Sequence, residues 1–358
     1  MSRLYLILEN GKVFEGESFG AEGETVGELV FTTGMAGYAE TLSDPCNYGQ
    51  IVCQTYPIIG AYGISSADLE SPKPSLKAYI VREWCKEPSN FRSEGDLFTF
   101  LMSKNIIGLC GIDTRELTRI IRENGVMNAK ISKTPTCDLE ELKNYRVEGG
   151  VKATTCHEKT FAVARNGKKY SVAVLDLGAK HKLVSELTAR NCDVYLFPAS
   201  SSAEEIISSD PDGIIISDGA GDPAENTEII AEVKKLLDSG IPVFGISLGH
   251  QLIALAGGAK TFKLKYGHRG GNHPVKNALT GKMSITTQNH GYAVCAESLP
   301  EGMTAEFYNL NDKTCEGLSF GDKKAFSVQF VPETTPGPNS TGYIYDRFIE
   351  MIKKEGNE

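Results

Sequence analysis

The residues best placed for chemistry surround Ser247, in a segment that has the pattern of a strand, a sharp turn and a helix. Residues 242–246 are apolar, Gly245 and Gly249 flank Ser247, and an apolar helical run follows to residue 256. Small flanking residues allow a strained turn beside a helix N-terminus, whose amides favour developing negative charge. The Gly-x-Ser-x-Gly pattern predicts a serine nucleophile, although a pattern this short more often marks a tight turn capped by a serine.

A serine nucleophile needs a general base, because its hydroxyl is barely acidic. The histidines that follow Ser247 in the chain are His250, His268, His273 and His290. His250 comes three residues later on the same helix, and we expect it to point elsewhere. His268 and His273 fall in a Gly- and Pro-rich run that predicts a loop, where hydrogen bonding is favoured over a metal site. The sequence therefore offers no acceptable Ser–His pair, and we predict no metal site.

The C-terminal half alternates between apolar strand candidates and amphipathic helix candidates. The strands are predicted at residues 171–177, 193–197, 213–217, 242–246 and 325–329, with helices at 182–190 and 226–237. This alternation predicts an α/β domain with a mainly parallel sheet and helices on both faces. Ligands collect at the carboxyl ends of such strands, and two of those ends, 218–222 and 245–249, are rich in glycine.

The N-terminal half has a different pattern and predicts a mixed α+β domain. Residues 4–8 and 28–32 are strand-like, and many glycines interrupt the rest. One helix is well marked, since Asp113 and Glu116 have the spacing of a capping box and Gly125 follows the apolar stripe. We therefore predict a first domain at 1–147, a linker at 148–169 and a second domain at 170–358.

Composition narrows the class of protein. The chain has 358 residues, 41% of them hydrophobic and 23% charged, with a net charge of −9. The sequence has no dense basic block and no apolar run long enough to span a membrane, so neither nucleic acid nor a membrane is an expected partner. Nine scattered cysteines without a visible secretory signal predict reduced thiols in a cytoplasmic protein.

A series of short motifs, taken in order, resembles the class I glutamine amidotransferases, and specifically the small subunit of carbamoyl phosphate synthetase. The C-terminal motifs are residues 245–251, 257–260, 267–275, 288–292 and 329–338. The motifs of the N-terminal half, which other amidotransferases lack, are residues 31–38, 55–60, 89–92 and 111–119. The resemblance covers nearly the whole chain and implies a flavodoxin-like amidotransferase domain after the N-terminal domain.

The resemblance also implies a reaction and a partner. In this family a cysteine at the turn attacks the amide of glutamine, a histidine is the base, and a glutamate orients the histidine. The ammonia passes to a large subunit, which uses ATP, magnesium and bicarbonate to make carbamoyl phosphate for pyrimidine and arginine biosynthesis. The resemblance implies no cofactor in this chain; its partners would be the large subunit and L-glutamine.

This sequence departs from the family at both key positions. Ser247 stands where the cysteine is expected and Val331 where the histidine is expected, while Glu333 keeps the orienting acid. Valine cannot accept a proton, so we predict that glutamine hydrolysis is lost or strongly impaired. Asp218 and Ala220 replace the family's asparagine and proline. The resemblance assigns glutamine contacts to Cys46 (a serine in the family), Gly219, Gly221, Leu248, Gln251, Asn289, Gly291 and Tyr292.

Three hypotheses remain at this point. We adopt a carbamoyl phosphate synthetase small subunit that has lost glutaminase activity and depends on free ammonia. The second is a non-catalytic glutamine-binding or regulatory paralogue, which co-purification with a large subunit would distinguish. The third is an independent serine hydrolase, which a fluorophosphonate probe labelling Ser247 would support.

Overall fold

The computed structural model describes residues 2–321, 323–333 and 341–353, and it divides into two compact units. The N-terminal unit contains Met1–Gly150 with Lys265–Arg269, and the C-terminal unit contains Val151–Leu264 with Gly270–Glu358. Each unit buries its own hydrophobic clusters.

The N-terminal unit is built on a closed barrel of seven strands in the order β1-β2-β6-β5-β4-β3-β7. The strands are β1 (Arg3–Leu8), β2 (Val13–Gly20), β3 (Thr25–Thr32), β4 (Gln50–Ile59), β5 (Ala78–Trp84), β6 (Ile107–Cys110) and β7 (Met127–Ser132). The helices are α1 (Tyr38–Ser43), α2 (Leu97–Ser103), α3 (Thr114–Asn124) and α4 (Leu139–Asn144). Parallel pairs join β3 to β6 through β4 and β5, and the other pairs are antiparallel, so the predicted mixed α+β domain is confirmed.

Helix α3 forms where its caps predict it. The Asp113 carboxylate accepts the backbone N–H of Glu116 at 2.9 Å, which satisfies a donor that the first turn leaves unpaired. The apolar stripe of the helix packs into the core of the barrel, and the helix ends at Gly125, whose φ is 99°. The Glu116 carboxylate, which a capping box would turn back to the amide of Asp113, instead accepts a hydrogen bond from Lys12.

The C-terminal unit contains a ten-stranded sheet. After α5 (Gly150–Thr154), its elements are β8 (Thr160–Ala162), β9 (Tyr170–Leu177), α6 (His181–Ala189), β10 (Cys192–Pro198), α7 (Ala203–Ile207), β11 (Gly213–Gly219), α8 (Thr227–Asp238), β12 (Val243–Ile246), α9 (Leu248–Ala256), β13 (Thr261–Asn277), β14 (Met283–Val294), β15 (Met303–Asn309), β16 (Cys315–Phe320), β17 (Ala325–Val328) and α10 (Tyr343–Lys353). The five central strands are parallel in the order β10-β9-β11-β12-β17.

This order is the 2-1-3-4-5 order of flavodoxin-like sheets, as the sequence predicts. Helices α6 and α10 pack on one face of the sheet, and α7, α8 and α9 pack on the other. The central strands are almost entirely buried because both of their faces are covered. Ser247 follows β12 directly and therefore lies at the carboxyl edge of the sheet.

Two predictions need correction. The proposed linker, residues 148–169, contains α5 and the edge strand β8, and β8 pairs with β10 in an antiparallel ladder. The Gly- and Pro-rich run around His268 and His273 is part of the 17-residue strand β13 rather than a loop. Pairing with neighbouring strands fixes the backbone of β8 and of β13 and overrides weak local propensity.

Two further observations concern the cysteines and the length of the helices. All nine cysteines lie within the described residues, and each is a free thiol. Among the described helices, none is both long enough and apolar enough to cross a lipid bilayer.

Candidate active site

Ser247 occupies a strained turn between β12 and α9. Its φ is 51° and its ψ is −103°, a region that residues with a side chain rarely adopt. The Ser247 amide donates to the carbonyl oxygen of Val328 at 2.8 Å, which fixes the turn to the end of β17. The side chain is buried, and its hydroxyl forms no hydrogen bond with any residue that the structure describes. The predicted nucleophile position is therefore formed, but the hydroxyl has no base beside it.

The two glycines of the turn are required by close packing. A Cβ atom at Gly249 would lie 2.1 Å from the carbonyl oxygen of Ile216 in β11. A Cβ atom at Gly245 would lie 2.5 Å from the Cδ1 atom of Ile253 in α9. Helix α9 can approach the sheet this closely only because both positions lack a side chain.

We expect Gly249→Ala to lower the free energy of unfolding by about 1–3 kcal/mol, the usual cost of overpacking a core. The added methyl group would meet backbone atoms, which cannot rotate away as a side chain can. Urea unfolding measures the change. Gly95→Ala is the matched control, because nothing lies within 4 Å of its Cβ position. Equal small losses in both variants would contradict the packing argument.

Val331 occupies the position that the sequence analysis predicts for the general base. Its amide donates to the carbonyl oxygen of Thr287 at 2.9 Å, and the two residues form an isolated antiparallel bridge. The side chain is only 5% exposed. The backbone is thus held in place, but the isopropyl group has no lone pair with which to accept a proton.

Glu333, the predicted orienting acid, lies in a buried polar cluster. It is 4% exposed and accepts a hydrogen bond from the hydroxyl of Tyr345 in α10. Nearby, the Lys180 ammonium lies 3.1 Å from a carboxylate oxygen of Asp218, and both of these side chains are buried. Burial and then the negative charge of Asp218 raise the pKa of Glu333 to about 7, while Tyr345 and Lys180 oppose the shift.

Two of the four histidines considered as a base, His250 and His290, form hydrogen bonds to residues other than Ser247. His250 points to β17, where its Nδ1 lies 2.8 Å from the Ser327 hydroxyl, and burial lowers its pKa to about 3. His290 uses both ring nitrogens, one at 2.7 Å from the Tyr292 carbonyl and one at 3.0 Å from the side-chain oxygen of Gln288. The expectation that His250 points away from Ser247 is confirmed.

The side chain of Gln251 connects helix α9 to strand β14 and to the residue after β17. Its side-chain amide donates to the carbonyl oxygen of Tyr292 at 2.8 Å and to Oε1 of Gln329 at 2.9 Å. Asn289 and Gly291 lie on the same strand as Tyr292. These four predicted glutamine contacts therefore belong to one rigid region, although their role in binding stays a prediction.

The other predicted glutamine contacts are distributed over both units. Gly219 ends β11, and the Leu248 side chain lies 2.9 Å from the position of a Cβ atom there. Gly221 follows with a φ of 102°, which favours glycine. Cys46 lies in a short turn of the N-terminal unit, where its amide donates to Asp44 at 2.9 Å.

Comparison with known proteins agrees with this architecture. The model of the family "Carbamoyl-phosphate synthase small chain, CPSase domain" matches residues 6–131, and that of "Glutamine amidotransferase class-I" matches residues 173–351. This chain belongs to the carbamoyl phosphate synthase small chain family. The small chain of Listeria innocua is 45% identical over 99% of each chain, and that of Bacillus cereus is 48% identical over 99% of this chain and 98% of the relative. The small chain of Clostridium perfringens is 46% identical over 96% of this chain and 98% of the relative.

Within this small chain, sequence reasoning missed two residues of the site, Lys180 and Tyr345. Lys180 follows the carboxyl end of β9, an edge where ligands collect, and that position was the available signal. The sequence around Tyr345 contains no pattern that indicates a role in the site, because only the packing of α10 brings its hydroxyl to Glu333. Residues 334–338 of the motif at 329–338 lie outside the described residues.

Proposed function

We propose that this chain is the small subunit of a cytoplasmic carbamoyl phosphate synthase and that its own glutamine hydrolysis is lost or strongly impaired. The assembled enzyme then depends on free ammonia for carbamoyl phosphate synthesis, in pyrimidine or arginine biosynthesis. Membership of the small chain family supports the subunit role. The large subunit binds ATP, magnesium and bicarbonate.

The proposed loss of activity rests on one observation: Val331 is buried at the position predicted for the general base. A serine hydroxyl becomes a nucleophile only when a neighbouring base takes its proton. The Ser247 hydroxyl lacks such a partner among the described residues, and Val331 cannot serve as one.

The remaining scaffold supports a binding and structural role. The strained turn at Ser247, the bridge at Val331 and the hydrogen bonds of Gln251 are all formed. The backbone donors and the strand that would contact glutamine therefore keep their positions. The oxyanion hole of this small chain would use the amides that follow Gly221 and Ser247.

We expect the chain to co-elute with a carbamoyl phosphate synthase large subunit in size-exclusion chromatography at micromolar concentration. The N-terminal motifs support this, and one of them, residues 89–92, carries Phe91, which is 96% exposed. Phe91→Glu is expected to raise the dissociation constant about tenfold or more, as for a central apolar contact.

Phe161→Glu is the matched control, because Phe161 is also exposed but belongs to the C-terminal unit. It should leave the affinity within about twofold of the unmodified chain. Two separate peaks for the unmodified chain would contradict the subunit role and favour a free-standing regulatory paralogue.

A further inference from the structure

The buried cluster around Glu333 holds an unequal number of acids and bases. Among the described residues of the C-terminal unit, it contains two carboxyl groups, from Asp218 and Glu333, and one ammonium group, from Lys180. The four elements that supply it are the segment after β9, strand β11, the segment after β17 and helix α10, which adds the Tyr345 hydroxyl. In so dry an environment two negative charges cannot both be balanced by one cation.

Arg190 of α6 also contacts this cluster, since its guanidinium lies 5.4 Å from the centre of the Tyr345 ring. Arg190 is committed to the carboxylates of Glu186 and of Asp346, the latter at 2.7 Å. Its charge is therefore largely neutralised before it can act on Glu333.

The contacts of the two acids favour Asp218 as the ionised group and Glu333 as the protonated one. The Lys180 ammonium lies 3.1 Å from Asp218 Oδ2, so the negative charge is best placed on Asp218. Glu333, in contrast, accepts a hydrogen bond from the neutral Tyr345 phenol, which offers no positive charge. Burial raises the pKa of Tyr345 well above its usual value, so the phenol stays protonated.

We propose that Asp218 is a positioning residue that, by pairing with Lys180, keeps Glu333 largely protonated below neutral pH, where it cannot orient an imidazole at position 331. This inference rests on the proposed function and adds a third substitution to the inactive site. A carboxylate stabilises the imidazolium that forms during catalysis, whereas a neutral carboxylic acid does not. With asparagine at position 218, the negative charge that raises the pKa of Glu333 is removed, and the positive charge of Lys180 still favours the ionised form of Glu333.

The first test follows stability against pH and needs no catalytic activity. A pKa of about 7 in the folded chain, against an ordinary value of 4.5, means that the folded state holds an extra proton between these limits. Stability from this group is therefore present below about pH 4.5 and is lost as the pH rises to about 7. We expect the unmodified chain to lose more thermal stability between pH 5 and pH 8 than Glu333→Gln, and Asp218→Asn to behave like Glu333→Gln.

Asp238→Asn is the matched control, since it removes an exposed acid paired with Lys323 at 2.6 Å. Its pH profile should run parallel to that of the unmodified chain. The inference is overturned if Asp218→Asn keeps the full loss of stability, or if Glu333→Gln does not reduce it.

The second test measures glutamate release by the complex with the large subunit. Adding Asp218→Asn to Ser247→Cys/Val331→His should raise kcat several-fold at pH 6 and by less at pH 7, with little change at pH 8 or in KM. The gain falls as the pH rises because Glu333 then ionises even when Asp218 is present. A ratio that does not change with pH would overturn the inference. If the proposed function fails, the unfolding test still decides whether Asp218 controls Glu333.

Discussion

At pH 8, the unmodified chain in complex with the large subunit is expected to release glutamate from glutamine at close to the background rate. Ser247→Cys/Val331→His should raise this rate by roughly 10²–10⁴-fold, the usual contribution of a positioned acid–base group acting with its nucleophile. At this pH Glu333, with a pKa of about 7, is ionised and can orient the new imidazole. A coupled assay for glutamate measures the rate.

The single variants should do little, because the nucleophile and its base act as a unit. Ser247→Cys supplies a thiol without a base, and Val331→His places a base beside a weak nucleophile. Ser247→Ala/Val331→Ala is the control for contaminating glutaminase. A rate for the unmodified chain that matches the double variant would mean that another group acts as the base.

Lys180→Met is expected to destabilise the chain by about 3–5 kcal/mol, because removing one partner of a buried ion pair leaves the other charge uncompensated. The Lys180 and Asp218 side chains are only 6% and 3% exposed, so water cannot replace the lost partner. Lys180→Met/Asp218→Asn should recover most of the loss. Urea unfolding at pH 8 gives the free energies for this cycle.

The matched control is Lys235→Met. Lys235 also forms an ion pair, with Glu232 at 2.9 Å, but its side chain is 50% exposed, so we expect little change. If the two lysine variants lose similar stability, or if Asp218→Asn rescues nothing, the Lys180–Asp218 pair is not the buried charge pair described above.

Much of the C-terminal unit could be predicted from the sequence because its signals are local. The apolar run before Ser247 and the glycines at 245 and 249 correctly predict a strand, a tight turn and a helix. Closure of the N-terminal barrel could not be predicted, since it depends on β1 pairing with β7, more than a hundred residues apart in the chain. His268 was placed in a loop because glycine and proline usually interrupt strands.

The candidate site was predictable only where a residue type and its position in a motif suffice. Ser247, Val331 and Glu333 are placed by their motifs, and the structure puts them at the carboxyl edge of one sheet. The protonation of Glu333 could not be predicted, because it depends on Lys180 and Asp218, which only the fold brings together.

The most direct test of the account compares two nitrogen sources for the same enzyme. The complex of this chain with its large subunit is supplied with ATP, magnesium and bicarbonate, and carbamoyl phosphate is measured with either glutamine or ammonium chloride. The account predicts synthesis with ammonium and close to background synthesis with glutamine, because Val331 cannot act as a base for Ser247. Equal rates from glutamine and ammonium would contradict it.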